Sequence, residues 1–352
     1  MTDTLVRPPA ITTEDRAALV DSVRRLLADR CTETDVRRIM DSPDGHDPGL
    51  WRALVDLGVA GLTVPEAQGG AGLGAVELGL VMEEAGAALL PAPLISGAMA
   101  AALLDGDRLS ALAGGSIAAI AFAGAQDWTR RGDVRVAGGR ITGMARFVAD
   151  AAIADTILLA ADEGVFAVDR EDARITPLPT FDRTRRMADV AFDAPAIEVA
   201  DAARVAGARD IGLVALAGEQ AGGARGMLEM TVAYAAERHQ FGRAIGSFQA
   251  IKHMAADLLL ESESATSAAR DAARQLAEGS DTSDAAVALA AFACADAFVR
   301  VAKDGIQMHG GIAFTWAHPA HLYLRRARSG AQYLGDSAHW REMYLRALEG
   351  QA

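Results

Sequence analysis

An α+β fold in three parts is predicted by the order in which hydrophobic periodicity changes along these 352 residues. Residues 1–112 read as helical, 113–200 as short β-type runs, and 201–352 as long helices again. A chain of this length can bury several packed layers or domains, which suits such a division.

In the first part, Thr12-Thr13-Glu14-Asp15 offers cap and first-turn residues ahead of the stripe Leu19, Val20, Val23, Leu26 and Leu27. A second helix is expected from Pro48 to Leu57, stopped by Gly58, a residue that tolerates a left-handed C-cap. The glycine-rich stretch Gly69-Gly70-Ala71-Gly72-Leu73-Gly74 has no preceding strand and no following Lys-Ser/Thr. It therefore reads as a loop feeding a helix over Val76–Leu89 rather than a phosphate loop.

The middle part offers β-type runs at Ser116–Phe122, Asp133–Val136, Arg140–Val148, Thr156–Ala160, Val165–Val168 and Asp189–Phe192. Turn signals such as Ala137-Gly138-Gly139 and Asp162-Glu163-Gly164 separate them, which predicts a small antiparallel barrel or sandwich. In the last part, Val287, Ala288, Ala291, Phe292, Ala295, Phe298, Val299, Ala302 and Ile306 trace one helical face. Similar patterns at 213–236, 249–277 and 320–330 predict a four-helix bundle.

Composition narrows the function. A formal net charge of −13 argues against a nucleic-acid partner, which needs a basic surface. No uncharged apolar run of ~18 residues predicts a membrane span, and Met1–Arg16 lacks the pattern of a secretory signal. Cys31 and Cys294 have no metal-type spacing, and neither His253 nor His309 has a second ligand at such spacing, so no metal site is expected. A cytoplasmic protein is the expectation.

Glu237-Arg238-His239-Gln240-Phe241-Gly242-Arg243, leading through Ile245-Gly246-Ser247-Phe248-Gln249, together with Gln307-Met308-His309-Gly310-Gly311-Ile312-Ala313-Phe314, resembles the C-terminal signatures of the acyl-CoA dehydrogenase family. Upstream, Trp51-Arg52-Ala53-Leu54, Gly61-Leu62-Thr63-Val64-Pro65-Glu66, Glu83-Glu84-Ala85-Gly86 and Leu90-Pro91 are similar to that family's N-terminal domain. Asp182-Arg183-Thr184-Arg185 with Val190-Ala191-Phe192-Asp193 looks like the exit of its β-domain. The likeness covers nearly the whole chain, with its motifs in order.

The resemblance implies an N-terminal helical domain, a small β-domain and a C-terminal helical bundle. It also implies FAD as cofactor, an acyl-CoA thioester as substrate and an electron-transfer flavoprotein as acceptor. A carboxylate in such enzymes removes the α-proton while the β-hydride passes to the flavin, and the thioester carbonyl must be polarised for that proton to leave. By the same resemblance, Arg238, Gln240, Phe241, Gln249, Gln307, Gly310 and Gly311 would contact the diphosphate and adenine end of a flavin shared across subunits. A guanidinium fork suits a diphosphate, and glycine lets backbone approach it closely.

The pattern departs where the base should be. The Glu of the family's Tyr-Glu-Gly-Thr element is replaced by Leu334, and the alternative position on the first bundle helix is Gly212. Ala317 stands where many relatives carry a further acid. Asp210, Glu219 and Asp336 remain nearby. Asp210 is rotated roughly 200° from Gly212 on a helix, and Glu219 lies about 10 Å further along the same face. On the ring side, the strand running to Gly124-Ala125-Gln126-Asp127 and the element Phe147-Val148-Ala149-Asp150 lack the hydroxyls that relatives aim at the flavin. The expectation is an acyl-CoA dehydrogenase chain acting as a homo-oligomer or as one subunit of a heteromer on a bulky acyl group. The alternative is a non-catalytic subunit that completes the FAD site of another such chain.

Overall fold

The computed structural model describes residues 11–123 and 133–350. Gly124 to Asp127 therefore lie outside the described residues. The N-terminal helices are α1 (Thr13–Arg30), α2 (Glu33–Asp41), α3 (Pro48–Asp56), α4 (Ala75–Ala87), α5 (Leu94–Leu103) and α6 (Gly106–Ala113). Thr12 caps α1 reciprocally with Asp15, and Thr32 caps α2 with Asp35 in the same way. Three of these helices, α2, α5 and α6, go beyond the periodic stripes of the sequence. Helix α5 is buried on nearly every side from Leu94 to Ala100, so it shows no amphipathic stripe.

Eight strands follow among the described residues: β1 (Ala118–Phe122), β2 (Asp133–Ala137), β3 (Arg140–Ala149), β4 (Thr156–Ala161), β5 (Gly164–Asp169), β6 (Ala173–Pro177), β7 (Met187–Pro195) and β8 (Ile197–Ala200). They form two four-stranded sheets, ordered β1-β4-β5-β8 and β2-β3-β7-β6. One expectation needs correcting, because β1 and β4 pair in parallel, with Ala118 opposite Thr156. After β1 the chain crosses to the other sheet, makes the β2–β3 hairpin and returns, a crossover that lets two strands run the same way. The β3–β7 ladder slips between Ala145 and Val148, and Phe147 and Asp150 there have φ of 56° and 60°.

The third part holds α7 (Arg204–Glu237), a hairpin of β9 (His239–Gln240) and β10 (Arg243–Ala244), then α8 (Gln249–Glu278), α9 (Ser283–His309), α10 (Ala320–Gly330) and α11 (Ser337–Glu349). Helices α7, α8 and α9 pack on one another, and the shorter α10 and α11 both pack on α9. Helix α9 is long and apolar enough to cross a membrane, but 67% of its most apolar stretch is buried inside the protein. It is a core helix.

The first and third parts meet along α4 and α7, where backbone touches backbone. A methyl added at Gly222 would lie 1.8 Å from the Glu83 carbonyl oxygen, and one at Gly86 would lie 1.9 Å from that of Glu219. Only glycine permits so close a crossing. Three buried carboxylates of α4 are paired along this seam: Glu77 with Arg16, Glu83 with Arg270, and Glu84 with Arg24 and Arg225.

Candidate functional site

The two vacant base positions lie side by side. Gly212 is on α7 and Leu334 is in the link between α10 and α11. A methyl added at Gly212 would lie 2.6 Å from the Met99 sulfur and 3.1 Å from Leu334 Cδ1. Met99, on α5, is 1% exposed and Leu334 is 5% exposed, so hydrocarbon fills the space between them. The Trp340 indole N–H donates to the Leu334 carbonyl at 3.0 Å and holds the link, whose Leu334 and Gly335 both have positive φ. Neither side chain at this point can take a proton.

Glu219 and Asp336 are engaged elsewhere, and the Asp210 carboxylate lies 3.9 Å from Arg209. Both Glu219 oxygens accept from Arg185 Nη2, at 2.8 and 2.6 Å, and Arg326 Nη1 donates at 3.0 Å. Burial pushes this carboxyl up, but the two guanidinium groups outweigh it and hold the carboxyl below its usual range. Asp210 is pushed up to about 6 by burial; Arg209 opposes that shift and Asp284 adds to it. Asp336 is exposed and caps α11, accepting the His339 N–H at 2.8 Å.

Sequence reasoning missed the group at the centre of this region. Arg326 is 1% exposed and carries bonds to all three parts of the chain. Its Nε pairs with Asp182 at 3.0 Å, its Nη1 with Glu219, and its Nη2 bonds the Thr184 and Leu90 carbonyls at 3.1 and 3.3 Å. With Arg185 the four charges balance, two cations against two anions. The signal was present in the helical register, since Leu322, Arg326 and Gly330 share the buried face of α10. Beside this group the Ser96 hydroxyl donates to Asp150 at 2.6 Å, and burial pushes the Asp150 carboxyl up. Arg185 lies 5.1 Å over the Tyr333 ring.

The expected cofactor residues gather at the opposite end of α7. Arg238 is the C-cap of α7, and its exposed guanidinium makes no ion pair among the described residues. Gln240 and Phe241 stand in the β9–β10 hairpin, where Phe241 is 92% exposed with a φ of 54°. Gln249 opens α8 and Gln307 is exposed in the last turn of α9. Gly310, with a φ of 71°, ends α9, and no atom lies within 4 Å of where a Cβ would sit on Gly310 or Gly311. Tyr234, one turn before Arg238, stacks on His309 with ring centroids 4.5 Å apart, which ties these chain segments together. Ile312, Phe314 and Trp316 leave apolar surface exposed on the same side.

Between Gly212 and Arg238 lie about 26 residues of one helix, roughly 39 Å at 1.5 Å per residue. No single dinucleotide spans that, so the two regions cannot serve the two ends of one flavin on one chain. The Arg238 end fits a flavin diphosphate: a cation with no ion pair among the described residues beside open glycine backbone. The described residues at the other end do not fit the ring. Val148 and Ala149 are buried and bring no hydroxyl, and Asp150 is already bonded to Ser96.

Comparison with known proteins identifies the family. Residues 13–105 match the acyl-CoA dehydrogenase N-terminal domain and residues 210–349 the C-terminal domain. The chain is 37% identical to acyl-CoA dehydrogenase IpdE2 of Mycolicibacterium smegmatis, over 96% of this chain and 99% of that one. The ChsE4–ChsE5 complex from Mycobacterium tuberculosis superposes with a TM-score of 0.86 at 27% identity, covering 96% of this chain and 98% of the other. A variant of the Tcur3481–Tcur3483 steroid ACAD gives 0.87 at 26% identity, with the same coverage. The chain belongs to the acyl-CoA dehydrogenase family of FAD-dependent oxidoreductases.

Proposed function

We propose that this chain is one subunit of a two-chain acyl-CoA dehydrogenase, supplying the diphosphate and adenine cradle for a flavin whose ring is held by the other chain. The observation that carries this reading is the contrast along α7. Gly212, Leu334 and Met99 leave no proton acceptor and no room at one end, while Arg238, Gln307, Gly310 and Gly311 stand open at the other. The partner chain would then bring the carboxylate that removes the α-proton. The flavin supplies the acceptor for the β-hydride. In this chain, Arg238 would neutralise diphosphate charge, the Gly310–Gly311 backbone would allow close approach, and the exposed Phe241 and Phe314 would help shield the bound group from water.

Solved relatives that superpose on this chain include a named pair of chains and a steroid enzyme, which supports a two-chain assembly acting on a bulky, sterol-derived acyl-CoA. An electron-transfer flavoprotein is the acceptor this chemistry calls for.

Flavin absorbance at known protein concentration tests the proposal. The purified chain should carry less than about a tenth of an equivalent of flavin, and the complex with its partner about one per pair. One equivalent on the isolated chain would overturn it and send the search for a base to Asp210, Glu219 and Asp336.

A further inference from the structure

Three histidines and a tyrosine meet where α7 and α9 end. The His309 ring stacks on Tyr234, its centroid lies 4.6 Å from that of His318, and His318 stands edge-on to Tyr234 at 6.0 Å. His321 packs edge-on against Trp316 at 4.6 Å. His309 Nδ1 lies 2.8 Å from the Gly305 carbonyl, and a carbonyl only accepts, so Nδ1 carries the proton. His309 is 4% exposed, and its Nε2 has no partner, like both ring nitrogens of His321. His318 Nδ1 accepts the Ala320 N–H at 3.2 Å and is therefore unprotonated at that atom.

We propose that Tyr234, His309 and His318 form a proton-sensitive joint that holds the Arg238 turn of α7 against the Gln307–Gly311 end of α9, so that this end of the bundle keeps its shape only while both imidazoles are neutral. A proton on His309 Nε2 would create a buried N–H with no acceptor, and one on His318 Nδ1 would break its bond to Ala320. Two imidazolium rings this close would also repel. Stacking on Tyr234 as a cation–π contact returns less than an uncompensated buried charge costs. Helix α2 presents Glu33, which favours a proton on His318, and Arg37, which opposes it; on α10, Arg325 opposes a proton on the neighbouring His321. Burial lowers His309 and His318 from the ordinary histidine range, and burial with Arg325 takes His321 down to about 4.

The link from joint to dinucleotide rests on the function proposed above, but the joint is tested on the full chain without flavin. Histidine ring NMR and amide hydrogen exchange are followed from pH 7.5 to 5. His309 and His318 should titrate below free histidine. Exchange over residues 234–243 and 305–318, corrected for its intrinsic pH dependence, should speed up about tenfold on acidification. His309→Asn keeps a donor for the Gly305 carbonyl but takes no proton, so it should retain protection at pH 7.5 and lose most of the acid effect. His318→Asn, which keeps an acceptor for Ala320, should do the same and serves if the first variant fails to fold. Titration of both rings near the free value, or an acid effect unchanged in both variants, would overturn the joint. Flavin stoichiometry, which decides the subunit proposal, is untouched by either result.

Discussion

One helix carries two opposite solutions. At its Gly212–Glu219 stretch α7 is wrapped on every side, its glycines taken up by α4, Met99 and Leu334, and its one carboxylate claimed by two guanidinium groups. At Arg238 the same helix ends in solvent, with a free cation, a hairpin carrying a 92% exposed Phe241, and bare glycine backbone beside it. The difference teaches that departure from a family pattern can be regional. At the first end packing takes up the space, while at the second Arg238, Gly310 and Gly311 stand where nothing among the described residues fills or pairs with them, as the subunit proposed above requires.

The largest effect should come from breaking the closed region. Arg326→Leu strips the balancing charge from Asp182 and Glu219 and should cost about 3–5 kcal/mol, measured by urea unfolding. A loss under ~1 kcal/mol would mean that the two acids are solvated by other means. Gly222→Ala forces α4 and α7 apart and should cost about 2–3 kcal/mol in the same assay. At the open end the ranking reverses between readouts. Arg238→Gln should change stability by less than about 0.5 kcal/mol yet remove most flavin from the two-chain complex, and equal loss of both would erase the contrast drawn here.

The smallest effect concerns Asp210. Its carboxyl is pushed up to about 6 in the folded chain, against about 3.9 when unfolded, so the folded state holds more protons between those values. Stability from this group is therefore present at low pH and lost as pH rises towards 6. Asp210→Asn should stabilise the protein by roughly 1–2 kcal/mol at pH 7 and by nothing measurable at pH 3.5, seen as a Tm difference that vanishes on acidification. A pH-independent difference would mean that Asp210 titrates normally.

Helices with a clean stripe or a glycine stop could be read from sequence, and α10 was placed at 320–330 as found. Helix α2 was missed although Thr32 and Asp35 repeat the device that marks α1, and α5 was missed because a helix buried all round has no stripe to read. The parallel β1–β4 pair was beyond reach, since strand runs give no direction when the connection leaves and re-enters a sheet. In the candidate site, replacements such as Leu334 and Gly212 were visible as substitutions within a motif. That they touch through Met99 was not, because the contact joins three distant segments. Arg326 escaped for a related reason: a cation counts as surface until its counterions, here on two other segments, are seen beside it.

That arginine also bears on how the chain can be handled. Its partners are drawn from the link after α4, from the β6–β7 link and from α7: the second and third parts supply its two counterions, Asp182 and Glu219, and the first supplies the Leu90 carbonyl. Cutting near residue 200 would divide this group of four charges between two fragments, and cutting near 112 or 200 would take Arg225 and Arg270 from the α4 carboxylates. The three parts are thus separable by eye but not by scissors. They should melt in one cooperative transition, checked by calorimetry, and a part cut free at either boundary should lose stability with the pairs it leaves behind.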